Sequence, residues 1–142
     1  QNTGAEILRR NVLEVWVNAD DQIMIEGQLV TIDQVTQITR DFILNQNEDI
    51  NLPEKKLKIV PYFGDVMVSK QVISLQNDTE TSYRMYIRVQ NELVRAYSEL
   101  RDELSYKKFG RTFEELKKAN RKNECQAIKM IYPQRISEAL PN

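Results

Sequence analysis

The sequence predicts an α+β fold: a small mixed sheet with two crossover helices on one face, in the order β-β-β-α-β-α-β, plus a helical insertion before the last strand. Two segments, 12–18 and 71–76, have the character of strands, and the first alternates with a period of two. Helical periodicity recurs at about 31–47 and 82–108. Connections of this length permit right-handed crossovers, which place helices against a sheet. The opposite face of the sheet is then free or covered by a partner.

The first three strands are short and joined by tight turns. VLEVWVN places Leu13, Val15 and Val17 on one face, as a half-buried strand does. NADD is typical of a turn, because Asn and Asp bond to nearby backbone and tolerate left-handed angles. QIMI is the second strand, Gly27 allows another reversal, and QLV is the third strand.

A helix begins directly after the third strand. Thr31 and Gln34 have the spacing of a capping box, and Asp33 lies in the first turn, where the helix dipole favours negative charge. We expect this helix to end near residues 45–47. Its predicted apolar stripe consists of Val35, Ile38, Phe42 and Ile43.

The segment after this helix has no simple period. Residues 46–56 are polar and predict a loop. Residues 57–70 have strand-like content interrupted by Pro61 and Gly64. This pattern predicts an extended insertion with one or two edge-like strands.

The second half predicts a long helix followed by shorter ones. Gly110 is a candidate C-cap, and Thr112 with Glu115 forms a second capping box. Asn123 is a candidate cap for a separate short helix that ends at Ile131, and QRISEAL predicts the final strand. The apolar stripe predicted for the long helix is Tyr83, Tyr86, Ile87, Leu93, Val94, Tyr97, Leu100 and Leu104.

Composition excludes several classes of protein. The length of 142 residues predicts one domain, 1–142, with residues 1–11 as a linker. Twenty basic and twenty-one acidic residues give a net charge of −1, so no strong positive field favours nucleic acid. No apolar run approaches the roughly 20 residues that span a bilayer, and residues 1–12 lack the apolar region of a signal peptide. The first residue is Gln, which is compatible with a fragment.

Little in the sequence predicts catalysis, a metal or a cofactor. There is no histidine, which removes most catalytic triads and most zinc sites. Cys125 is the single cysteine, and its helical context favours a structural thiol over a nucleophile. Asp20 and Asp21 fit a turn better than a calcium loop. The basic residues Lys117, Lys118, Arg121 and Lys122 fit a solvent-exposed helix end better than a binding patch.

The order of these elements resembles the periplasmic domain of the ExbD/TolR family. The family pattern of strand, Asn-x-Asp turn, strand, Gly turn and helix start is matched by Asn18, Asp20, Gln22, Ile23, Gly27, Val30 and Asp33, with Asp21 where Gly is typical. The strand and Tyr-headed helix match residues 72–93, with Ser82 where Pro is usual, and the last strand matches 135–139. Residues 46–71 and 106–133 exceed the usual domain and are insertions on this comparison.

The resemblance implies a function without side-chain chemistry. ExbD-like proteins cross the inner membrane of Gram-negative bacteria once, through a helix with an essential Asp that is not in this chain. With an ExbB-like channel subunit they use the proton-motive force to energise a TonB-like protein for outer-membrane transport. The domain would then be a periplasmic homodimer that binds partners. One alternative is a TolR-like envelope module that binds peptidoglycan, and another is a small enzyme of unrecognised type.

Partner binding is expected at a free sheet edge through main-chain hydrogen bonds. The final strand and the first strand are the candidates for that edge, and the final strand could also be exchanged between two chains. A tyrosine at the helix edge could serve the same interface. The candidate partner-binding residues are Tyr83, Arg135, Ile136, Ser137, Glu138 and Ala139.

Overall fold

The structure, a computed structural model, describes residues 7–138 of the chain. The strands are β1 (Val12–Val17), β2 (Ile23–Ile25), β3 (Gln28–Val30), β4 (Lys55–Val60), β5 (Gly64–Ser69), β6 (Val72–Asn77) and β7 (Ile136–Glu138). The helices are α1 (Ile32–Leu44), α2 (Tyr83–Phe109), α3 (Phe113–Lys118) and α4 (Lys122–Ile131).

Five strands form the main sheet in the order β3-β2-β1-β6-β7. β1, β2 and β3 are antiparallel neighbours, whereas β6 and β7 run parallel to β1. Both parallel connections contain helices: α1 lies between β3 and β6 in the chain, and α2 to α4 lie between β6 and β7. The predicted α+β fold with a mixed sheet and a helical insertion before the last strand is confirmed.

The main core lies between one face of this sheet and the helices α1 and α2. The alternation of β1 has its predicted effect, because the side chains of its odd-numbered residues are buried there. Burying each such side chain contributes about 1.5–3 kcal/mol. The buried members from the sheet are Leu13, Val15, Val17, Ile23, Ile25, Ile73 and Leu75, and those from the helices are Val35, Phe42, Ile43, Val89, Leu93, Tyr97 and Leu100.

The opposite face of the main sheet is partly open. Glu14 is exposed there, and Trp16, Met24 and Gln76 are half-buried around a cavity of about 450 Å³. The core thus has two layers, and the outer surface of the sheet carries mixed polar and apolar side chains.

Local chemistry sets most element boundaries where they were predicted. Glu26 and Gly27 have φ of 51° and 79°, the left-handed pair that a two-residue hairpin turn requires. The Gln34 side chain accepts a hydrogen bond from Thr31 N–H at 2.9 Å, and Gly110 is the left-handed C-cap of α2. Thr112 and Glu115 form the predicted capping box.

Two predictions about element details were wrong. Asn123 does not cap α4: Asn120, with φ of 59°, turns the chain so that Arg121 is the N-cap and the helix begins at Lys122. Tyr83 is 79% exposed and does not belong to the core stripe. The first turn of α2 packs on the core through Met85 and Tyr86, and Tyr83 lies on the solvent side of that turn.

The first insertion, residues 46–71, contains two edge strands as predicted, and they form a separate hairpin. In the part of the chain that the structure describes, β4 and β5 pair only with each other, in register from Lys55 opposite Ser69 to Val60 opposite Gly64. Pro61 and Gly64, which interrupt the strand pattern, flank the turn between them. The hairpin packs through Val60 and Val66 onto Ala127 and Ile131 of α4, so the two insertions support each other.

The predicted linker, residues 1–11, is partly structured. Residues 1–6 lie outside the described residues. Arg9–Asn11 forms one turn of 3-10 helix, and Asn11 is buried. The side-chain Nδ2 of Asn11 donates a hydrogen bond to Glu54 Oε1 at 3.2 Å, and its side-chain Oδ1 accepts one from Glu54 N–H at 2.8 Å. Asn11 therefore joins the start of β1 to the start of the hairpin.

Candidate partner-binding edge

β7 lies at one edge of the main sheet. On one side it pairs with β6, with Ile136 opposite Ile73 and Glu138 opposite Leu75. The Arg135 carbonyl accepts a hydrogen bond from Ile73 N–H at 2.8 Å. On its other side β7 has no strand neighbour among residues 7–138. Of the two strands that were candidates for a free edge, the final strand therefore does lie at an edge of the sheet.

The register decides which main-chain groups of β7 remain free. In a parallel ladder, a residue of one strand forms its main-chain hydrogen bonds with two residues of the neighbouring strand. These are the residues immediately before and after the one that lies opposite it. Ile73 is such a residue, so Arg135 and Ser137 direct their main-chain groups toward β6. The N–H and C=O groups of Ile136 and Glu138 point the other way, toward the open edge. These are the groups that an added strand would bond.

The side chains of β7 hold it to α2. Ile136 packs on the main core. The Glu138 carboxylate accepts hydrogen bonds from the Tyr86 hydroxyl and from Gln90 Nε2, the latter at 2.8 Å. Burial, together with the hydrogen bond and negative charge of Glu138, raises the pKa of Tyr86 to about 12. Both ends of this short strand are thus anchored on the helix side.

A second contact network fixes the start of β7. The Tyr97 hydroxyl donates to Gln71 Oε1 and accepts from Arg135 N–H at 3.3 Å. Gln71 Nε2 in turn donates to the Pro133 carbonyl at 3.0 Å. Tyr97 and Gln71 are both buried. Burial raises the pKa of Tyr97 to about 12, so the hydroxyl stays protonated at neutral pH.

The remaining candidate residues lie around the same edge. Ser137 and Glu138 are exposed and Arg135 and Ile136 are half-buried, whereas Ala139 lies outside the described residues. Tyr83 is one turn before Tyr86 on α2, and residues at this spacing share a helix face. Since Tyr86 contacts Glu138, Tyr83 belongs to the end of α2 near the carboxyl end of β7.

The first strand, which was the other candidate for a free edge, does not lie at an edge of the sheet. β1 is the third of five strands, between β2 and β6, because the parallel strand β6 adds to its outer side. The other edge is β3, which sequence reasoning missed. Leu29 of β3 is 63% exposed. No local signal in the sequence indicates it, because the strand that β6 joins is decided by contacts between residues some sixty positions apart.

The groups with possible side-chain chemistry lie elsewhere and apart. Cys125 is buried among Phe113, Leu116 and Ile128, and its burial raises the pKa of the thiol. Arg121 of the basic patch pairs with Glu124, and Lys117 pairs with Glu114 at 2.9 Å. Within residues 7–138, no three His, Cys, Asp or Glu side chains cluster as metal ligands would. Nor does any helix in this range have the length and apolar content to cross a membrane.

No protein-family model matches the chain, and no curated protein matches its sequence.

Proposed function

We propose that this chain is the periplasmic domain of an ExbD-like subunit, part of a single-pass inner-membrane protein. It would couple the proton-motive force, through an ExbB-like channel subunit, to TonB-dependent transport at the outer membrane. In this role the domain carries out no chemistry: it dimerises and binds a TonB-like partner. The titrating Asp that the proton pathway requires would lie in a membrane helix outside this chain.

The free edge of β7 is the observation that carries this proposal. An extended segment of a partner can add to the sheet there through the main-chain groups of Ile136 and Glu138. Each main-chain hydrogen bond contributes about 0.5–1.5 kcal/mol net. A strand of three residues therefore supports weak, reversible pairing, which suits a subunit that must engage and release its partner.

The order of the elements also supports the proposal. The strand, turn, strand and capped helix that carry the resemblance are β1, β2, β3 and α1. The second strand with its Tyr-headed helix is β6 with α2, and the last strand is β7. The additional elements, the β4–β5 hairpin and the helices α3 and α4, fall within the two expected insertions.

The test is to read the coding sequence upstream of Gln1 in its gene. We expect roughly 20 consecutive apolar residues with a single Asp among them, close before residue 1. A polar upstream segment, or an apolar segment without an acidic residue, would overturn the proposal. Sedimentation with purified cell wall separates the TolR-like alternative: the proposal expects no co-sedimentation, and binding to peptidoglycan would count against it.

A further inference from the structure

A cavity of about 400 Å³ lies between the hairpin and the amino ends of β6 and β7. It is distinct from the free edge of β7, because it opens where the parallel strands begin. Four of its lining residues are cationic, and within residues 7–138 no Asp or Glu lines it. The cationic members are Lys56, Lys58, Lys70 and Arg135, and the apolar members are Ile7, Leu8, Val68 and Val72.

The fold brings the four cations together from three segments. Lys56 and Lys58 alternate along β4, so their side chains leave the same face of the hairpin. Lys70 lies between β5 and β6, and Arg135 directly precedes β7. Arg135 Nη1 donates to the Gln71 carbonyl at 3.2 Å, which holds the guanidinium at the start of β6. These residues are far apart in sequence, and only the packing of the hairpin assembles them.

The positive charge of this cavity is poorly neutralised. Within residues 7–138, no carboxylate oxygen lies within 4 Å of Lys56, Lys58 or Arg135. Lys70 has one partner, Glu54 Oε1, at 3.5 Å. By contrast, Arg40 binds Glu99 and Glu103 at 2.8 and 2.7 Å. A concave site with one sign of charge attracts counter-ions.

We propose that this cavity binds a small amphiphilic anion, with a phosphate or carboxylate group among the four cations and an apolar portion against Ile7, Leu8 and Val72. Lysines supply point charges and Arg135 supplies a fork of donors that fits such a group. The volume is within the range of small-molecule sites. The anion could be a free molecule or the head group of a lipid, which share this chemistry.

The test is calorimetric titration of the whole chain with octyl phosphate and with inorganic phosphate. We expect octyl phosphate to bind with one-to-one stoichiometry, more tightly than inorganic phosphate because of its apolar chain. Its affinity should fall as salt is raised. In the double variant Lys56→Gln, Lys58→Gln the affinity should fall about tenfold or more, since two charged partners are lost.

A matched control keeps the result specific. Lys117→Gln, Lys122→Gln makes the same change in charge in a different basic region, near Cys125, and should bind octyl phosphate like the unmodified chain. Circular dichroism of all variants checks the fold. Equal loss in both double variants, or no binding by the unmodified chain, would overturn the proposal. Co-sedimentation with phosphatidylglycerol vesicles, lost only in Lys56→Gln, Lys58→Gln, would support a lipid head group, and its absence alongside octyl phosphate binding would support a free anion.

Discussion

The Tyr86 hydroxyl on α2 donates a hydrogen bond to the Glu138 carboxylate on β7. This contact joins the long helix to the last strand across 52 positions of sequence. This contact holds the helix-facing side of β7, while within residues 7–138 no strand pairs with its outer edge. How firmly β7 is held determines whether it acts as a fixed template or is exchanged between chains.

Replacing Tyr86 with Phe should loosen β7 locally. The variant loses one hydrogen bond to a carboxylate, and because Glu138 is exposed we expect a cost of only about 0.5–1 kcal/mol. Hydrogen exchange should show the amide of Ser137, which the register directs at β6, exchanging several-fold faster. Tyr83→Phe is the control, because Tyr83 is 79% exposed on the same helix. Equal exchange rates of the Ser137 amide in Tyr86→Phe and Tyr83→Phe would contradict the anchoring role of Tyr86.

Tyr97 should give the stability of the domain a distinct alkaline limit. An unfolded tyrosine ionises near pH 10, whereas burial raises the pKa of folded Tyr97 to about 12. Between these values the unfolded chain releases the proton first, so stability falls as pH rises through this window, by roughly 2–3 kcal/mol at most. Chemical denaturation of the unmodified chain and of Tyr97→Phe from pH 8 to 12 measures this.

The difference in stability between the unmodified chain and Tyr97→Phe should become smaller as pH rises. At pH 8, Tyr97→Phe should be less stable by about 1–3 kcal/mol, since Gln71 Oε1 loses its buried donor. Toward pH 12 that deficit should shrink, because Phe has no proton to lose. A deficit that stays constant across the range would show that Tyr97 does not carry the alkaline limit.

The features that depend on residues close together in the sequence were predicted well. The capping box of Thr112 and Glu115, the C-cap at Gly110 and the turn at Gly27 each depend on chemistry within a few positions. Strand order was less accessible. That β6 lies beside β1, and so moves the free edge to β7, depends on contacts between residues some sixty positions apart.

The cavity was not predictable for the same reason. Lys56 and Lys58 look like ordinary exposed lysines in the sequence, and Arg135 appears only as part of a strand. Their proximity arises because the hairpin forms its own sheet and packs beside the main one. The prediction for Tyr83 failed for a different reason: its spacing fits the core stripe, but Met85 and Tyr86 are the residues of the first turn of α2 that pack on the core.

Cys125 should behave as a buried structural thiol. It is 7% exposed, and burial raises its pKa, so the reactive thiolate is scarce at neutral pH. We expect an aromatic disulfide reagent at pH 8 to modify the native chain far more slowly than the chain in denaturant. Complete modification of native protein within seconds would contradict this and would reopen the question of a catalytic thiol.

Dimer formation should depend on the last strand. Light scattering of the purified chain should show a monomer–dimer equilibrium, and deletion of residues 134–142 should weaken it. Leu29→Lys is the control, because it places a charge at the opposite edge, β3, and should leave the dimer intact. A dimer that survives the deletion but dissociates in Leu29→Lys would assign the interface to β3.

The most direct test concerns the free N–H of Ile136. In Ile136→Pro this donor is lost while the bonds from Arg135 and Ser137 to β6 can remain, and proline is tolerated at the first residue of an edge strand. Ile136→Ala loses a similar apolar contact but keeps the donor. Fluorescence anisotropy with peptides from the proposed TonB-like partner should show binding to the unmodified chain and to Ile136→Ala, and about tenfold weaker binding to Ile136→Pro. Equal affinities of Ile136→Pro and Ile136→Ala would contradict main-chain pairing at β7.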